Sequence, residues 1–327
     1  MIKTYVFTKE GVREDVPLDD WPRMLSGLAE GECRLLWVDA RSASPEEIND
    51  LAQRFGLHAV AVESCLDGYR RPHLYEFQDH FYVNLTVLKR GSRAEHGLKA
   101  SELHLFAGGD FVITISAENE SEAVDKALAV YLDTPAACSR GSMYAVYLLA
   151  EDLVETYFPL VEHLDDEADK LETKMLEKAD KRSLTKLFAL KRRGFDLRKL
   201  LGPQRDVLTE LARRDFPFIE GESRIYFQDV YNRLIRIFDM MDTVREVLSG
   251  NLDIYLSTVS NRLNEVMKVL TVAATILMTL SLITGFYGMN FVHLPWLQSP
   301  NAFRNILIFM GAITAGMLWW SKRKGWL

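Results

Sequence analysis

Residues 266–287 hold a single charge, Lys268, in a run of Leu, Ile, Val, Ala and Thr, and nothing else in the chain restricts its fold as strongly. A helix rising about 1.5 Å per residue crosses the hydrocarbon core of a bilayer over that length. A second apolar run, residues 306–320, is shorter and reaches across with the help of Phe303 and a snorkelling Arg304. The simplest arrangement is a hairpin: a first span at about 266–286, an outer loop at about 287–303 and a second span at about 304–320. Lys322, Arg323 and Lys324 follow the second run at once, Arg262 and Lys268 flank the start of the first, and 290–305 holds only Arg304. The positive-inside rule then puts both termini in the cytoplasm of a multi-pass protein of the cell (inner) membrane. Trp296 at the outer edge, and Trp319, Trp320 and Trp326 at the inner, suit interfacial aromatic belts.

Whole-chain averages conceal these runs. Over 327 residues the mean hydropathy is −0.06, ordinary for a soluble protein, and the length suits more than one folding unit. The first ten residues have no long apolar stretch and no small-residue cleavage site, so the expectation is that the N-terminal portion stays in the cytosol. Cys33, Cys65 and Cys138 are odd in number and widely spaced, which predicts neither a disulfide framework nor a cysteine zinc site. The seven histidines follow no metal-ligand spacing, and a net charge of −7 speaks against a nucleic-acid partner. No nucleotide loop, nucleophile elbow or paired-carboxylate arrangement stands out, so an enzyme is not expected.

The chain divides into three parts by pattern. Residues 1–135 read as a cytosolic α/β domain, with strands at 3–8, 34–39, 81–88, 103–107 and 111–116 and helices at 45–55, 59–66 and 121–132. Ser44 is placed to cap the first helix, and Gly108-Gly109-Asp110 to turn between the last two strands. Residues 136–265 form a long-helix and stalk region; within it, 141 to about 213 reads as two helices meeting near Ala179 and Asp180, the first acidic and the second basic. Residues 266–327 are the membrane hairpin with its basic tail.

Upstream of the first span the last proline is Pro217 and the next is Pro295. Between 222 and 285 only Gly250 interrupts good helix composition, predicting one helix about 95 Å long. Along it Asp253, Ser257, Ser260, Asn264, Met267, Thr271, Ala274, Met278, Ser281 and Gly285 recur in alternating steps of four and three. That rhythm keeps all ten on one side of a left-handed supercoil. Beside it runs an almost wholly apolar stripe that includes Leu256, Val259, Leu263, Val266, Leu270 and Leu277. Two readings of the polar stripe stand. Small and hydroxyl residues pack membrane helices closely; alternatively, a carboxylate, an amide and two methionines line a wall facing water, which several copies must complete because one hairpin cannot enclose a pore.

The first span ends in Gly285-Phe-Tyr-Gly-Met-Asn290. Gly288 frees the backbone to leave the helix and Asn290 offers an amide oxygen at the mouth. A ring of neutral acceptors binds a hydrated Mg2+ through its tightly held waters, and weakly enough to release it. Tyr-Gly-Met-Asn at the end of the first of two C-terminal spans resembles the signature of the CorA family of magnesium channels. The likeness continues upstream through 252–271 and 226–231, into the closing Lys-Arg-Lys-Gly-Trp-Leu, and more generally across the chain.

The resemblance implies a homopentamer: a funnel-shaped channel with a cytosolic α/β domain, a long helical stalk and two C-terminal transmembrane helices in a lipid bilayer. It implies a selectivity ring at Gly288, Met289 and Asn290, pore-lining positions at Asn264, Met267, Leu270, Met278 and Ser281 with Asp253 near the cytosolic end, and a basic collar of Lys322, Arg323 and Lys324. By the same resemblance Mg2+ is expected as the transported and the regulatory ion, with Co2+ or Ni2+ as further cargo. No catalytic cofactor is implied. Asp229 matches one acid of the family's cytosolic sensor; its partner is expected just after strand 81–88, where Lys89 to Arg93 offer no carboxylate. The outer loop also lacks the acids common in the family, and Thr279 stands where many members have proline. Zn2+ transport of the ZntB type and a membrane-anchored scaffold are the alternative readings.

Overall fold

The computed structural model describes residues 1–20, 34–68, 71–88, 100–117, 121–213, 221–289 and 300–326. It divides into two compact units, one of 1–170 with 186–249 and one of 171–185 with 250–327.

The first unit is built on a seven-stranded sheet. Its strands are β1 (Ile2–Thr8), β2 (Gly11–Glu14), β3 (Arg34–Arg41), β4 (His73–Glu76), β5 (His80–Leu88), β6 (Ala100–Gly108) and β7 (Phe111–Ser116), in the order β2-β1-β3-β7-β6-β5-β4. Every neighbouring pair is antiparallel except β3–β7, whose parallel register sets Leu36 opposite Phe111 and Ala40 opposite Ile115. The indole N–H of Trp37 donates across this pair to the Thr114 hydroxyl at 3.2 Å, between residues 77 positions apart. Central strands buried on both faces read as near-continuous apolar runs, which is why β3, β5 and β7 were visible in the sequence. The four-residue strands β2 and β4 were not predicted; both are edges of the sheet. Gly108 lies where a Cβ would meet the Phe111 ring at 2.4 Å, so the β6–β7 turn requires glycine.

Helix α1 (Pro45–Phe55) starts as predicted. The Ser44 hydroxyl accepts from the Glu47 N–H while the Glu47 carboxylate accepts from the Ser44 N–H, a complete capping box, and Gly56 ends the helix at φ 62°. With α2 (Ala59–Leu66) it covers one sheet face, burying Ile48, Leu51, Ala61 and Val62 against Val38, Tyr82, Phe106 and Ile113. Helix α3 (Glu122–Asp133) and a short 3-10 turn (Pro135–Arg140) precede α4 (Gly141–Glu177) and α5 (Lys181–Arg213). The break between α4 and α5 falls where the sequence placed it, and the Asp180 carboxylate accepts the Ser183 N–H at 2.7 Å to open α5. Cys65 is free, but Cys138 is disulfide-bonded. This corrects the expectation drawn from spacing, since separation along the chain sets no limit on which cysteines a fold can pair.

Helix α6 (Gly221–Tyr287) runs unbroken for 67 residues through Gly250, as its composition predicts. Helix α7 (Ala302–Arg323) is the second apolar element of its unit. Both are long and apolar enough to cross a membrane, and their most apolar windows are only 6 % and 0 % buried. Core helices of soluble proteins would be covered instead.

Candidate functional site

From residue 261 to the end of α6 the side chains shielded from solvent are Val272, Ile276, Thr279, Leu280, Ile283 and Tyr287. At about 100° per residue these share one face of the helix. The matching shielded positions on α7 are Ile306, Met310, Ile313, Thr314 and Met317, again on one face. All ten residues of the polar stripe, from Asp253 to Gly285, are exposed, as is Leu270. Thr271, Ala274, Met278, Ser281 and Gly285 fall roughly opposite the shielded face of α6. The stripe therefore uses none of the surface that its own chain covers. Met278 is its most open member among the large apolar residues, 75 % exposed.

The threonines of this span are arranged alike. The Thr271 hydroxyl donates to the Met267 carbonyl at 2.7 Å, Thr275 to Thr271 at 2.8 Å, and Thr279 to Thr275 at 2.8 Å. Each hydroxyl proton is thus spent on the helix backbone, leaving the oxygen lone pairs to accept from outside. At the C-terminal end of α6 the Gly288 N–H donates to the Thr284 carbonyl at 2.9 Å and the Met289 N–H to the Phe286 carbonyl at 3.4 Å, closing the helix just before the signature ends. Asn290, the third member of the sequence-derived ring, lies outside the described residues, as do Lys89 to Arg93 and 291–299.

Beyond α7 the chain turns on Gly325, at φ 69°, and the Trp326 N–H returns to the Ser321 carbonyl at 2.9 Å. Trp326 packs edge-on against Trp320, centroids 5.9 Å apart, and the Arg323 guanidinium sits 5.4 Å from the Trp319 ring centre. Lys322, Arg323 and Lys324 are all exposed around this turn.

Asp229 lies on α6 in the first unit, at a groove of about 550 Å3 whose apolar lining is Val154, Phe158, Pro159 and Ile237. Its carboxylate accepts from the Arg233 Nε at 2.8 Å, and the same guanidinium lies 3.4 Å from Glu155 and 3.5 Å from Glu151. The Arg233 contact was legible as an i, i+4 pair; the two glutamates, on α4, had no sequence signal pointing to them. Among the described residues no group of three or more His, Cys, Asp or Glu side chains is placed to hold a metal ion.

The sheet buries a polar chain of its own. The Tyr82 hydroxyl meets His104 Nδ1 at 2.8 Å, and His104 Nε2 lies 3.6 Å from Glu102. Burial pushes the His104 imidazole down to about 4, Glu102 opposing and His73 reinforcing the shift. Burial likewise raises the Cys65 thiol to about 12. Both groups are neutral at physiological pH, and they serve the core.

Comparisons with known proteins complete the description. The family model for CorA-like Mg2+ transporter proteins matches residues 32–323. The cobalt/magnesium transport protein CorA of Thermotoga maritima is 36% identical over 298 residues, covering 88% of this chain and 84% of that one. The complete structure of the CorA magnesium transporter from Methanocaldococcus jannaschii superposes with a TM-score of 0.75 at 25% identity, over 100% of this chain and 99% of that one. The zinc transport protein ZntB of Pectobacterium carotovorum is 26% identical over 183 residues, about half of each chain.

Proposed function

The chain belongs to the CorA-like Mg2+ transporter family, and from that premise we propose that it conducts Mg2+ into the cell through a pore lined by α6. The observation that carries this reading is the position of the polar stripe, opposite the face of α6 that its own chain shields. A hairpin with α7 outermost and α6 innermost turns Asp253, Asn264, Met267, Thr271, Ala274, Met278, Ser281 and Gly285 toward a shared axis. Copies of the same chain, five by resemblance, then enclose it. The spans sit in the inner membrane with both termini in the cytoplasm, in accord with the exposed cations after α7.

Hydrated Mg2+ presents water hydrogens outward, and a wall of acceptors suits it. Thr271 is such an acceptor, since its own proton goes to Met267. Gly288, Met289 and Asn290 form the selectivity ring, with Asn290 accepting from the ion's waters. Met267, Leu270 and Met278 form an apolar constriction that closes by dewetting. No step consumes ATP: an inside-negative potential supplies about 4.6 kcal/mol per 100 mV to a divalent ion.

Gating by cytosolic Mg2+ belongs to the same reading. Asp229, Glu151 and Glu155 place three carboxylates around Arg233, with Arg236 as the other cation of the groove. Three acids against two arginines leave this groove net negative, which concentrates cations around it without forming a ligand cage.

The test is flux into proteoliposomes holding an Mg2+-sensitive dye under an imposed inside-negative potential. Mg2+ should enter, Co2+ and Ni2+ should compete, and Asn290→Ala should abolish entry while the oligomer survives. Undiminished entry in that variant removes Asn290 from the ring. Zn2+ entry without Mg2+ entry moves the protein to the zinc-transporting branch.

A further inference from the structure

A second groove of about 540 Å3 opens in the first unit between α4, α5 and α6, far along the chain from the spans. Its floor is apolar and closed: Leu164, Met241, Val244 and Leu248 are all buried. On one wall Gly194 leaves space that a side chain would fill, a Cβ there coming 3.5 Å from Leu164 Cδ2. Phe195 beside it is 67 % exposed. The volume falls within the range of small-molecule sites, roughly 300–1,000 Å3.

The rim is cationic. Three cations of α5 have acidic partners on neighbouring helices: Lys186 and Arg193 share Glu167 at 3.4 and 2.6 Å, and Arg198 pairs with Asp242. Lys191 and Arg245, on the groove's lip, make no ion pair among the described residues. The chain carries 46 acidic against 39 basic residues, so unneutralised cations beside an apolar floor are not a surplus of positive charge. An apolar trough with two free cations at its edge complements one chemistry: an alkyl chain ending in an anion.

We propose that this groove binds a long-chain fatty-acid carboxylate. The alkyl chain lies on Leu164, Met241, Val244 and Leu248 under Phe195, and the carboxylate bridges Lys191 of α5 to Arg245 of α6. Bound there, it ties the two helices together through their side chains.

The experiment uses the full chain in nanodiscs of zwitterionic phosphatidylcholine, with a diazirine-bearing palmitate as probe. After illumination the adducts are mapped by proteolysis and mass spectrometry. Adducts are expected on the peptides holding Leu164, Phe195 and Met241, and unlabelled palmitate should suppress them. The Lys191→Glu, Arg245→Glu double variant should reduce them by about tenfold or more. Lys199→Glu, a charge reversal outside the groove, should leave them. Gly194→Trp should abolish them by filling the trough, whereas Gly194→Ala, which fits at ordinary contact distance, should label normally. Adducts confined to the two spans, groove adducts indifferent to both the charge and the Trp variants, or a groove labelled only after the copies are dissociated would each overturn the proposal.

Discussion

Leu105, Val112 and Ile113 of the sheet have no exposed surface at all, while Leu256, Leu263 and Leu277 of α6 stand 57 to 65 % open. These are the same kinds of side chain in one polypeptide. In the sheet, every central strand has a neighbour from the same chain on both sides, and α1 and α2 close one face. Along α6 beyond Gly250, hydrogen bonding is complete within the helix but side-chain burial is not. The first region is specified by one chain; the second is specified only together with what surrounds it. Leu256 and Leu263 precede the apolar run, and in the proposed topology their cover is protein rather than lipid.

The largest effect should come from paired truncations. Leu105→Ala should lower unfolding stability by about 2–5 kcal/mol, read from the denaturation midpoint. Leu263→Ala should leave that midpoint in place and instead loosen the oligomer, read by native mass spectrometry across a dilution series. If Leu263→Ala is silent in both measurements, no copy covers the apolar stripe and the contrast fails.

A smaller effect separates the regions by pH. His104 is held neutral in the folded sheet down to about 4, against about 6.5 for a free imidazole. Its contribution is full above about 6.5. It is lost as pH falls from there toward 4, because the unfolded chain takes up a proton that the folded one refuses. The loss is about 3 kcal/mol. Denaturation at a series of pH values should show His104→Gln with a shallower acid slope than the parent; an unchanged slope would mean that His104 titrates freely.

The smallest effect is the most local. Nothing lies within 4 Å of a Cβ added at Gly250. Gly250→Ala should therefore stabilise α6 by about 0.5–1 kcal/mol, measured as thermal unfolding of the assembled protein. A loss instead would place a neighbouring copy against that position.

What the sequence disclosed follows the same division. Apolar runs, the helix cap at Ser44 and the heptad rhythm of α6 are local or periodic, and each was readable. The edge strands β2 and β4 were not, because four residues paired on one side leave no clear alternation; His73 and Tyr75 belong to a strand only through their partners on β5. Within the candidate site the stripe was legible, but its place opposite the shielded face depends on Val272, Ile276 and Ile283, which look no different from their apolar neighbours. Glu151 and Glu155 reach Arg233 across 82 and 78 positions, from another helix, and no spacing rule joins them.

The single parallel pairing in the sheet also bears on how the protein is made. β4 to β7 follow one another as an antiparallel meander and can zip locally, each strand on the one before. β3 has to wait: its partner β7 arrives only after some seventy further residues have left the ribosome. Pairings between distant segments form late because the loop they close has to be ordered first. Until residue 116 has emerged, the β1–β3 ribbon carries an open inner edge bearing Leu36, Val38 and Ala40. A delay in synthesis within 42–110 prolongs that exposure, and it does so well before the first membrane span exists to be inserted.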